Sequence, residues 1–146
     1  MTIFNTCAQV ISFVKELENS SGAFYRDLAQ RYPQGASLLT FAQENGRFIT
    51  QIERAYYGVI TDAFEGCFAF NINPDDYRLD TGVGASYAEA LSRALDIEQR
   101  LVKFYTDGAA QSRALMADLP RAFSLVARKR GERLAQLGSL LSKETP

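Results

Sequence analysis

Four stretches of the chain repeat apolar residues at the three- and four-residue spacing of a helix face. The first reads Ile11, Val14, Glu18, Ser21, Tyr25, Leu28 and Tyr32, and stops at Pro33. The second reads Leu38, Phe41, Asn45, Phe48, Ile52, Tyr56 and Val59, fading near Gly66. The third runs Tyr87, Leu91, Ala94, Glu98, Leu101, Tyr105 and Ala109, with Ser86 placed to cap its N-terminus. The fourth runs Phe123, Ala127, Arg130, Leu134, Leu137 and Leu141, with Asp118 as its expected cap and Pro120 tolerated in its first turn. No strand pattern competes, although Cys67–Ile72 is compatible with a brief extended stretch.

The connections set the expected topology. Tyr32–Gly35 is short enough to make the first two helices antiparallel neighbours, and Gly108–Asp118 does the same for the last two. The linker between the pairs, roughly 64–85, is long enough to run the length of a helix and deliver the third helix parallel to the second. Two hairpins joined by one long crossover is a recognised variant of the four-helix bundle. The halves also repeat: FAQENGRFITQI from Phe41 and VARKRGERLAQL from Val126 share Ala, Gly and Gln in the same places.

Within this apolar patterning, two charges stand out. Glu18 precedes Phe24-Tyr25 and Glu98 precedes Phe104-Tyr105 at the same spacing. An ionisable group planted twice on a core-facing stripe requires a metal or a counter-charge. The chain contains no histidine, which excludes Ser-His-Asp and Cys-His catalysis. Neither a P-loop nor a dinucleotide fingerprint is present.

At this point the pattern resembles the rubrerythrin branch of the ferritin-like superfamily, over roughly residues 8 to 142. The resemblance implies an all-α, ferritin-like four-helix bundle as a single domain over 1–146. It also implies a di-iron ancestry, with ferroxidase, peroxidase or oxygen chemistry. In that family each half supplies a Glu from its first helix and a Glu-x-x-His from its second. Carried across, Glu18 and Glu98 remain, while the second-helix positions fall on Asn45 and Phe48, then on Arg130 and Arg133. A register one residue earlier gives Glu44 and Arg47, then Lys129 and Glu132. The first register is preferred because Asn45 and Phe48 share a stripe with Leu38, Ile52 and Tyr56. Neither contains a histidine. The expectation is therefore a degenerate di-iron site with no catalytic residue and no metal, its two glutamates neutralised by Arg130 and Arg133. Tyr25 and Tyr105 are expected to donate to the same cluster.

Composition narrows the classes further. Hydrophobic content of 47% and charged content of 23% fit an ordinary globular domain. The net charge of −1 leaves no basic excess for nucleic acid. Cys7 and Cys67 are expected to be free thiols, and the protein cytoplasmic, without a signal peptide or membrane span. Gly46 and Gly131 are expected where helices approach closely. Tyr56, Tyr57, Phe64, Phe68 and Phe70 are expected to pack the core and crossover. The resemblance implies a homodimer, with Phe13, Leu17 and Val102 as its face. The functional expectation is a non-catalytic scaffold or interaction protein. Its alternatives are an oxidoreductase holding iron or another divalent metal through altered ligands, and a bundle binding a small ligand at its centre. Carboxylate-only binding of Mg, Ca or Mn by Glu18, Glu98 and Asn45 also stays open, opposed by the nearby arginines.

Overall fold

The computed structural model describes residues 2–62, 69–115 and 118–144, with side chains left undescribed over 58–62. Among the described residues there are four α-helices: α1 (Cys7–Arg31), α2 (Leu39–Asp62), α3 (Tyr87–Gln111) and α4 (Asp118–Glu144). Helix α1 starts earlier than its apolar stripe because Thr6 and Gln9 form a reciprocal capping box. Pro33 ends it, as its sequence indicates, but the link to α2 is a 3₁₀ turn over Pro33–Leu38 rather than a tight corner. Ser86 caps α3 by accepting from the backbone N–H of Glu89. Asp118, expected as a cap, is the first residue of α4 itself.

Side-chain pairs fix the helix directions. Lys15 meets Glu53 and Asn45 meets Asn19, so α1 and α2 run antiparallel. Arg130 meets Glu98, and Phe123 packs over Gly108, so α3 and α4 do too. Tyr25 reaches Glu98 while Tyr105 reaches Glu18, which sets α1 against α3 in opposite senses. Arg133 on Phe41 and Arg130 on Phe48 do the same for α2 and α4. Helices α2 and α3 are therefore parallel, and the segment joining them must traverse the bundle.

The described part of that crossover is tied down at several points. Phe4 and Ile72 form an isolated antiparallel bridge, and the N–H of Phe70 donates to the carbonyl of Asn5. A 3₁₀ turn at Pro74–Tyr77 presents the Tyr77 hydroxyl to Asp107, and the Tyr77 ring packs on Phe104. Gly84 has φ of 80°, the left-handed region that favours glycine. A β-carbon there would also collide with Glu89, whose carboxylate accepts from the N–H of Ala85.

Phe104 is the hub of the apolar core, with edge-on contacts to Phe13, Tyr77, Tyr105 and Phe123. Phe13 and Leu17, expected on an outer dimer face, are buried, Phe13 between Phe4 and Phe104. Val102 is half-buried. Phe70 is buried as expected, but Tyr57 is 59% exposed and Tyr56 only half-buried. Phe64 and Phe68 lie outside the described residues. Gly46 and Gly131 also depart from expectation: a β-carbon at either would have open space around it. Close approaches fall instead at glycines such as Gly35, against Leu28 and Tyr87, Gly22, against Asn45, and Gly108, against Phe123.

Cys7 is disulfide-bonded, which corrects its reading as a free thiol. Cys67 lies outside the described residues. A bonded cysteine is uncommon in reducing compartments, so the cytoplasmic expectation loses the support it drew from free thiols. Among the described residues, no helix is long and apolar enough to cross a membrane.

Candidate functional site: a buried arginine between two glutamates

Glu18 on α1, Glu98 on α3 and Arg130 on α4 are completely buried, and Arg133, one turn further along α4, is 3% exposed. Glu18, Glu98 and Arg130 sit on their helices' apolar stripes, so helical periodicity turns these three inward, while Arg133 lies at the edge of the α4 stripe. The guanidinium of Arg130 lies between the two carboxylates. Its Nη1 donates to both oxygens of Glu98, each at 2.7 Å. Its Nη2 donates to Glu18 Oε1 at 2.6 Å and to the Ser21 hydroxyl at 3.1 Å, and its Nε donates to Glu18 Oε2 at 3.2 Å. Guanidinium has five N–H donors. Those five bonds use them all.

The tyrosines complete the cluster by crossing between hairpins. Tyr25 on α1 donates to Glu98 Oε2 at 2.7 Å, and Tyr105 on α3 donates to Glu18 Oε2 at 2.5 Å. Neither serves the glutamate of its own helix, because seven residues of helix separate the two by about 10 Å. The antiparallel neighbour brings the opposite glutamate alongside instead. Burial raises both phenols well above the usual tyrosine range, and the adjacent carboxylate charge pushes each further in the same direction. Burial alone would lower the Arg130 pKa, but the charges of Glu18 and Glu98 outweigh it and the guanidinium is held more firmly protonated than usual.

Arg133 plays a different part. Its Nη2 donates to the Phe41 carbonyl at 3.2 Å and to Glu44 Oε1 at 2.9 Å, near the outside of the bundle. Its Nη1 stands 3.5 Å from Glu98 Oε2 and makes no hydrogen bond. The guanidinium also lies over the rings of Phe41 and Phe48. The neutralisation expected of both arginines is therefore unequal: Arg130 serves both glutamates fully, and Arg133 mainly pairs with Glu44.

The remaining sequence-derived positions divide between core and surface. Phe48 is buried beneath both guanidinium groups. Asn45 is half-buried and donates to the Glu18 backbone carbonyl and the Asn19 side chain, not to either central carboxylate. Of the earlier register, Arg47 and Glu132 are exposed and Lys129 is half-buried, while Glu44 joins the cluster's edge through Arg133. Ser21 was legible only as a stripe position, three residues after Glu18. Its role as acceptor for the fifth guanidinium donor needs the structure.

As a metal centre this arrangement does not fit. The chain has no histidine. Among the described residues no group of three or more His, Cys, Asp or Glu is arranged to hold an ion. The space between the two central carboxylates is filled by a cation of the protein's own. A small ligand at that centre would meet the same obstacle. Searches for similar proteins found no matching family model, no matching curated protein and no matching solved structure.

Proposed function

We propose that this chain is a non-catalytic helical protein of rubrerythrin-like ancestry, a scaffold or interaction protein in which a guanidinium stands where a di-iron centre once lay. The observation that carries this reading is Arg130, bonded to both central glutamates through every donor it has. Arg130 supplies the counter-charge that the two central glutamates need in place of metal, with Arg133 shared between Glu44 and the edge of Glu98. The parallel α2 and α3, and the reciprocal exchange of tyrosines between the hairpins, support descent from a duplicated hairpin. Arginine suits the role because its planar fork meets carboxylates in pairs and does not lose its proton.

The test is anaerobic titration with Fe(II) and with Mn(II), followed by desalting and metal analysis. The proposal expects no stoichiometric retention of either ion. Retention of about two ions per chain, as in a di-iron bundle, would overturn it and favour an oxidoreductase with altered ligands.

A further inference from the structure

A groove of about 520 Å³ opens on the outside of the bundle between α2 and α4, lined by Glu44, Arg47, Lys129, Glu132 and Arg133 among others. Antiparallel packing of these helices, which sets Phe48 near Arg130 and Phe41 near Arg133, brings Arg47 and Lys129 to facing positions across it. Among the described residues, neither Arg47 nor Lys129 has a carboxylate within 4.0 Å. Like charges on opposite walls of one groove repel, and an anion between them would relieve the repulsion.

Arg133 adds a third cation to the lining. It is almost wholly buried, with Nη2 bonded to Glu44 and the Phe41 carbonyl and Nη1 turned toward Glu98 Oε2 at 3.5 Å. The groove's cations number three against two carboxylates, Glu44 and Glu132.

The anion's body is set by what lies next along the helices. A second cavity, of about 580 Å³, shares Thr40, Phe41 and Gln136 with the first and continues past Leu38 and Leu140. One trough is thus cationic at the Arg47–Lys129 end and largely apolar at the Leu38–Leu140 end.

We propose that the α2/α4 trough binds an amphipathic organic carboxylate, such as a medium-chain fatty acid. Its carboxylate lies between Arg47 and Lys129 at the mouth of the Arg133 site, and its chain lies along Phe41, Leu38 and Leu140. No covalent step is involved. The site is separate from the buried Glu18–Arg130–Glu98 centre and does not depend on its ancestry.

The experiment is titration of the full chain with sodium octanoate, followed by calorimetry and backbone amide shifts. Octan-1-ol (chain without charge) and sodium acetate (charge without chain) serve as comparators. Expected are saturable octanoate binding, shifts grouped around 38–48 and 129–140, and binding by both comparators at least about tenfold weaker. Reversing charge at the mouth with Arg47→Glu or Lys129→Glu, both away from the core, is expected to weaken octanoate binding by about tenfold or more with the helical circular dichroism unchanged. Octanoate shifts scattered over the surface, equal binding of octanol, or undiminished binding by both reversed variants would each overturn the proposal.

Discussion

Arg130→Met is the substitution that tests the buried cluster hardest. Methionine keeps the length of the aliphatic stem without the charged fork, so Glu18 loses two of its three side-chain hydrogen bonds, leaving Tyr105. Glu98 loses both bonds from Arg130 and retains Tyr25, with Arg133 Nη1 at 3.5 Å. Two carboxylates at full burial would then share one distant cation. Removing one partner of a buried pair costs about 3–5 kcal/mol. Here one cation serves two anions, so the loss is expected at the upper end, about 5 kcal/mol. A domain's whole stability is about 5–15 kcal/mol, which brings the variant close to unfolding. Urea denaturation monitored by circular dichroism measures the loss directly. The companion variant Glu18→Gln/Glu98→Gln/Arg130→Met removes all three charges together. It is expected to recover at least about 2 kcal/mol relative to Arg130→Met alone, because discharging a whole buried set is far cheaper than breaking it. A single variant losing under about 1 kcal/mol, or a triple variant no more stable than the single, would refute the reasoning.

Three further outcomes follow from the same geometry. Ser21→Ala leaves one Arg130 donor without an acceptor and is expected to cost about 1–3 kcal/mol in the same urea assay, although it adds no charge and little cavity. Gly46→Ala and Gly131→Ala, each with open space at the new β-carbon, are expected to raise stability by up to about 1 kcal/mol apiece, read as a higher melting temperature. In an alkaline titration followed by tyrosinate absorbance, Tyr25 and Tyr105 are expected to stay un-ionised until the chain unfolds. Their folded pKa values lie above the unfolded ones, so the stability they contribute is complete below about pH 10 and declines as pH rises beyond it.

Sequence and structure part company at identifiable places. The stripes on the first and third helices, and the glutamates set into them, are legible because helical period and an internal repeat are local signals. Arg130 is legible for the same reason, since it falls on the stripe of α4. The destination of Arg133 is not, because a long side chain on the stripe's edge reaches either inward to Glu98 or outward to Glu44. Periodicity also cannot tell which glutamate a tyrosine meets. That depends on the offset between antiparallel α1 and α3, a non-local quantity. Tyr57 sits beside Tyr56 at the margin of a stripe, where one residue's rotation decides between core and solvent. Gly46 and Gly131 share a place in the repeat but no packing reason for it is evident. The Phe4–Ile72 bridge rests on long-range pairing that the flanking residues do not encode.

The most direct measurement on the central claim is a crystal structure of the protein soaked in Fe(II) or Mn(II), with diffraction recorded at the metal's absorption edge. The account predicts the Arg130 guanidinium lying between Glu18 and Glu98, with no anomalous peak beside either carboxylate. A metal peak within coordination distance of those carboxylates, with Arg130 turned aside, would contradict it.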